Sequence, residues 1–166
     1  TVATIAGGTL SGVLAGDTVA IGGGAATFAD KNVGVAKTVT SSVITLAGAD
    51  AGNYSINGSA TTNADITPLA LTGAVAVANK VYDATTGATI AGRSLTGVVA
   101  GDAVSYGGGS ATFVDKNAGV AKSATATGLA LSGADAGNYT VNATATTSAD
   151  ITPLALMGSV TAANRI

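Results

Sequence analysis

All nine acidic residues of this 166-residue chain are aspartates, and neither histidine nor cysteine occurs. A Ser-His nucleophilic triad therefore lacks its base, and thiolate metal sites and disulfides are excluded. Glycoside hydrolysis asks for two carboxyl groups facing each other across a cleft. These aspartates instead recur at turn signals, at matched positions in two halves of the chain. The Gly-Gly-Gly runs at 22–24 and 107–109 precede neither a Gly-Lys-Ser/Thr sequence nor a helical pattern, so they do not read as phosphate cradles. Enzyme chemistry is not expected, and no organic cofactor is implied.

The cation that Asp and Asn side chains in loops suit is calcium. The candidate pairs are Asp30 with Asn32, Asp50 with Asn53, Asp115 with Asn117, and Asp135 with Asn138, although no dense Asp-x-Asp-x-Asp-Gly loop supports them. A Lys–Asn isopeptide cross-link built from Lys116 or Lys122 with Asn138 is a further option, against the plainer reading of an exposed lysine and a capping asparagine. The remaining polar constellation is GADAGNY, present at 48–54 and again at 133–139. Its Asp-x-Gly-x-Tyr spacing is similar to the corner of immunoglobulin-like sandwiches, where a tyrosine hydroxyl bonds to nearby backbone. On that reading Asp50 and Asp135 bond free amides of their own turn, Gly52 and Gly137 permit a tight bend, and Tyr54 and Tyr139 fill the core with an anchored hydroxyl.

The elements that would hold these residues are strands. Glu is absent and Thr, Val, Ser, Ala and Gly dominate, which disfavours exposed helical faces and favours short strands joined by turns. LALTGAVAV at 69–77 alternates Leu69, Leu71, Gly73, Val75 and Val77 toward one face, and YTVNATATTSADI at 139–151 alternates similarly. The Gly runs predict a hairpin or bulge, and DKNAG at 115–119 predicts a loop. The expected fold is all-β, a tandem repeat of β-sandwich (Ig-like) units, with a β-grasp-like or extended flat-sheet unit as the alternative. No apolar run reaches the ~18 residues of a membrane-spanning helix, and the formal charge of −2 gives no basic patch for nucleic acid.

Sliding the chain by 85 residues aligns 1–81 with 86–166 without a gap, and about 50 of the 81 pairs are identical. A complete unit runs from 69 to 153. Residues 1–68 read as a unit lacking its N-terminal strands, and 154–166, LALMGSVTAANRI, as the start of a third. The chain is thus expected to be a window on a longer tandem array. Pro68 and Pro153 mark the inter-unit joints, fixing φ near −65° and removing a donor. A bolder expectation is strand complementation, in which the C-terminal segment fills the gap in the first unit of an identical chain.

ANKVYDATT, SLTGVVAGD, ATFVDKNAGVAK, LSGADAGNYTV and ADITP follow one another in unit order. In these motifs, over essentially its whole length, the chain resembles the YDG-type tandem repeats of large bacterial surface adhesins, the filamentous-haemagglutinin-like exoproteins of two-partner secretion. It departs at Ala84, where that family has Gly after Tyr-Asp, which argues against a strained turn there. The resemblance implies a secreted protein at the bacterial cell surface or in a biofilm matrix, acting as a stalk or filament segment. Its partners would be neighbouring repeats, and a host or abiotic surface reached through parts outside this sequence. The alternative is a multivalent glycan- or surface-binding module acting by avidity.

Overall fold

A computed structural model describes all 166 residues. The chain divides into two compact units, Thr1–Pro68 and Leu69–Ile166. Both are all-β, and the only helical turns are two three-residue 3-10 turns.

Unit 1 contains β1 (Val2–Ala3), β2 (Ala20–Phe28), β3 (Gly34–Ala47) and β4 (Ser59–Ile66), laid side by side in chain order in one antiparallel sheet. Unit 2 is fuller. It opens with β5 (Leu69–Val77), β6 (Lys80–Val81), β7 (Gly87–Ala88) and β8 (Ile90–Thr96). It continues with β9 (Ser105–Phe113), β10 (Gly119–Ser132), β11 (Tyr139–Val141) and β12 (Thr144–Thr152). Five of these form a sheet in the order β6-β12-β10-β9-β7, and three form another in the order β11-β5-β8.

The two sheets of unit 2 enclose one apolar cluster. Val75 and Val77 of β5 pack with Tyr106, Ala111 and Phe113 of β9, Ala124, Ala126 and Leu129 of β10, and Ala149 and Ile151 of β12. The unit is therefore a β-sandwich, each sheet burying the face its alternation makes apolar. In β5 the inward set is Leu71, Gly73, Val75 and Val77, while Leu69 stays exposed. Gly73 is required by that packing, because a Cβ there would lie 2.3 Å from the Tyr106 ring.

Three details depart from expectation. The stretch 139–151 is not one strand: β11 pairs parallel with β5, β12 pairs antiparallel with β10, and Asn142 lies at the break. A second parallel ladder joins β12 to β6. Of the hairpin or bulge expected at the Gly-Gly-Gly runs the structure has the second: the runs lie inside β2 and β9, where the β2 register shifts and Gly108 and Gly109 adopt positive φ. At Ala84 the turn keeps a left-handed backbone with φ 65°, so alanine occupies the conformation glycine favours, contrary to the expectation of an unstrained turn.

Candidate functional site

Every one of the nine aspartates accepts a hydrogen bond, and they do so in three kinds of tie. At Asp30, Asp83 and Asp115 the short carboxylate reaches the amide two residues on, as turn aspartates do.

The first tie answers why GADAGNY occurs twice. The Tyr139 hydroxyl donates to Asp102 Oδ2 at 2.6 Å and accepts from the Val99 amide at 3.2 Å. Asp135 Oδ2 accepts from the Ala103 amide at 2.8 Å, while the Asp135 amide donates to the Ala103 carbonyl at 3.2 Å. The β10–β11 loop is thus clamped to the AGD turn before β9. Unit 1 repeats the clamp. Tyr54 hydroxyl donates to Asp17 Oδ2 at 2.5 Å and accepts from Leu14 at 3.1 Å, and Asp50 Oδ2 accepts from Thr18 at 2.8 Å. Donation to Asp17 also pushes the Tyr54 phenol above its ordinary pKa.

This clamp corrects the expected corner in three respects. The tyrosine's partners lie 37 and 40 residues away, not a few residues upstream. Asp135 and Asp50 bond an amide in the opposing turn rather than in their own. Gly52 and Gly137 have open space around them and no positive φ, so they are not what permits the bend. That role falls to Gly48 and Gly133, with φ of 119° and 114°, where a Cβ would strike the Thr18 or Ala103 carbonyl oxygen at 2.2 or 2.3 Å.

The second tie braces a bulge. Between Gly119 and Lys122 the β10–β12 register shifts, and Ala121 takes φ 49°. Its amide donates to Asp150 Oδ1 at 2.8 Å, as the Ala36 amide does to Asp65 Oδ1 in unit 1. The Asp150 amide in turn donates to Asn79 Oδ1 at 2.8 Å. The ADITP motif is therefore a bulge brace preceding Pro68 and Pro153.

The third tie uses lysine. Lys37 bonds Asp30, and Lys122 bonds Asp115. The same carboxylate oxygens accept from the Asn32 and Asn117 amides at 2.8 and 2.7 Å. Lys80 Nζ donates to Asp83 Oδ1 and the Thr85 carbonyl, both at 2.8 Å, and to the Gly87 carbonyl at 3.0 Å, 5.8 Å from the centre of the Phe113 ring. Asp83 is drawn from an ordinary 3.8 to about 2, first by the Lys80 ammonium and then by the Thr85 amide and hydroxyl. Asp30 and Asp115 are lowered too, first by Lys37 and Lys122, then by the amides of Asn32 and Asn117.

At Asp30 and Asp115 one carboxylate oxygen is engaged by a lysine ammonium, and at Asp50 and Asp135 one is engaged by a backbone amide. Asn32 and Asn117 serve these loops through their amides, while Asn53 and Asn138 close the 3-10 turns by donating to Asp50 and Asp135 carbonyls at 3.0 Å. No three carboxylates converge anywhere in the chain. Lys122, considered for an isopeptide bond, is engaged by Asp115.

Sequence reading missed Asn142. Its Oδ1 accepts from the Gly73 amide at 2.8 Å and its Nδ2 donates to the Gly73 carbonyl at 2.9 Å and the Thr144 carbonyl at 2.8 Å. The side chain thereby pairs with β5 as a strand residue would, bridging the gap between β11 and β12. A signal existed: in SINGS at 55–59 and TVNAT at 140–144, asparagine is the one residue unchanged between the copies.

The family model of the YDG domain matches residues 1–64 and again residues 67–148. No curated protein and no solved structure matches the chain.

Proposed function

The chain belongs to the YDG domain family, and from that premise we propose that it is a non-catalytic structural repeat, a stalk or fibre segment of a long extracellular bacterial adhesin or filament. One observation carries this reading: all nine aspartates are committed to backbone amides, a tyrosine hydroxyl or a lysine, so the repeated polar residues are ties within the fold. Repeated motifs that brace turns serve an array whose value is length and uniformity, each unit adding its own stability. An outward-facing binding surface would need exposed aromatics repeated from unit to unit. Tyr106 is instead buried, and Ile21 stands in its place in unit 1.

The test places one, two or three copies of the chain between a bacterial surface anchor and a binding domain of known ligand. As a spacer, the chain should increase the reach of the binding domain with copy number and leave its affinity unchanged. The reading fails if the chain without that domain retains cells on glycan-coated or bare surfaces.

A further inference from the structure

Asn-x-Ser/Thr is the acceptor pattern for sugar on an asparagine amide. Of the nine asparagines of the chain, Asn53, Asn57, Asn138 and Asn142 stand in it. They fall into two matched stretches, NYSINGS at 53–59 and NYTVNAT at 138–144. Four of the seven positions differ between the copies, and both hydroxyl positions are among the four. Each exchanges Ser for Thr, the one substitution that the pattern tolerates. Elsewhere the copies drop a hydroxyl outright, as Thr18 becomes Ala103, Ser41 becomes Ala126 and Thr45 becomes Ala130.

The structure separates the two asparagines of each stretch. Asn142 Nδ2 donates to the Gly73 and Thr144 carbonyls at 2.9 and 2.8 Å, and lies 3.3 Å from the hydroxyl of the buried Tyr106. A sugar on that nitrogen takes the place of one of its two hydrogens, so it breaks part of the bridge between β11 and β12. Asn57 Nδ2 is likewise spent on the Ser59 carbonyl.

Asn53 and Asn138 stand differently. Each closes its 3-10 turn through the main-chain amide, which donates to the Asp50 or Asp135 carbonyl at 3.0 Å. The residue that follows is the clamped tyrosine, held extended with φ −125° and ψ 155° at Tyr54 and with φ −134° and ψ 157° at Tyr139. Extended backbone sends successive side chains to opposite sides. With the tyrosine turned inward, the asparagine before it and the hydroxyl residue after it share the outer side. Ser55 and Thr140 are exposed, Asn53 is exposed and Asn138 is half-buried.

We propose that Asn53 and Asn138 are acceptors for an N-linked glycan, and that Asn57 and Asn142, in the same pattern, are not. The donor is a sugar carried on a diphosphate. Asparagine Nδ2 attacks the anomeric carbon, and the new C–N bond forms as the C–O bond to the diphosphate breaks. The diphosphate leaves with the bonding pair, and the amide gives one proton to a base of the transferring enzyme. In unit 2 the glycan stands just ahead of β11, an edge strand of its sheet. A bulky polar group there hinders pairing with the edge of another chain. The inference shares the extracellular part of the reading above, because the chain meets the enzyme on its way out of the cell. It does not rest on the spacer role.

The test is peptide mass spectrometry of the chain isolated from the cells that make it and from their medium, with electron-transfer fragmentation to place each sugar. Sugar should appear on Asn53 and Asn138, with higher occupancy at the more exposed Asn53, while Asn57 and Asn142 stay bare. Single hexoses mark a nucleotide-linked donor, and an oligosaccharide transferred whole marks a lipid-linked one. Ser55→Ala with Thr140→Ala should abolish the modification and leave the melting temperature of unglycosylated chain unchanged. Ser55→Thr with Thr140→Ser should keep it. Sugar on Asn57 or Asn142, or sugar that survives loss of the two hydroxyls, overturns the proposal. So does a bare chain: recovered from the medium it overturns this inference alone, and confined to the cells it overturns the extracellular reading as well.

Discussion

Residues 5–11, IAGGTLS, and 90–96, IAGRSLT, differ at three positions, yet the second is strand β8 and the first is irregular. The same contrast separates 54–56 from β11. The two segments flank one strand in unit 2, and the difference lies in that strand, not in their own composition. Strand structure is a property of a pair. Where the middle member is absent, both neighbours lose their ladder bonds at once, and the sheet opposite loses its cover. The Tyr–Asp clamp shows the reverse. It is the same in both units, because both turns it joins lie within each copy. The comparison therefore divides each unit into a self-sufficient part, the antiparallel meander with its clamp, and a part conditional on one inserted strand.

The largest effect should appear in hydrogen exchange of the chain at dilution. Amides of 5–11 and 54–56 should exchange several orders of magnitude faster than those of 90–96 and 139–141, as expected for locally open against globally protected segments. Equal protection would break the comparison. Next, Ile151→Ala should cost about 2–5 kcal/mol, the range for emptying a buried aliphatic site, while Ile66→Ala should cost much less, as read from denaturant unfolding followed separately in each unit. Removing the hydroxyl with Tyr139→Phe or Tyr54→Phe should cost about 1–2 kcal/mol. The two costs should be similar, since the clamp is shared; a large disparity in melting shifts would show that the clamp too depends on β5.

Smaller changes sharpen the contrast. Val43 holds φ 56° where unit 2 has Gly128, and it is exposed, so Val43→Gly should raise the stability of unit 1. Relief of a left-handed β-branched residue, less the entropy lost with glycine, leaves a net gain of about 0.5–1 kcal/mol; Ala84→Gly should act likewise in unit 2, both measured by thermal melts. The smallest effect is acid sensitivity. Asp83 is depressed in the folded chain, so its contribution is complete above its ordinary 3.8 and is lost as pH falls toward about 2. Asp30 and Asp115 follow the same sign in both units, but Asp83 occurs in unit 2 alone. Melts recorded from pH 5 to 2 should therefore narrow the stability gap between the units, and Asp83→Asn should remove that part of the narrowing.

Much of the fold was readable where information is local. The inward face of β5 follows from period-two alternation, and the all-β class from composition. What escaped was pairing at a distance. Nothing within GADAGNY names Asp102 or Val99 as partners of Tyr139, because they lie a loop and two strands upstream. The parallel β11–β5 ladder was invisible because alternation is the same for either strand direction. Ala84 misled because the side chain suggested relaxed backbone, while the Lys80–Asp83–Thr85 ties hold the turn left-handed regardless. Asn142 was legible in principle, as the fixed residue within a varying stretch.

One feature of the topology bears on mechanical load. Unit 2 begins with β5 and ends with β12, and each runs between two partners, β5 between β11 and β8, β12 between β6 and β10. Tension transmitted along the backbone to the ends of the unit thus acts on strands bonded on both sides, the second ladder being short: Leu69–Leu71 of β5 with β11, and Ile151–Thr152 of β12 with β6. The ladder bonds lie across the strand direction, so drawing either strand out lengthwise strains many of them simultaneously, whereas an edge strand could peel one bond at a time. A domain without disulfides obtains its resistance to extension from where the chain enters and leaves its sheets.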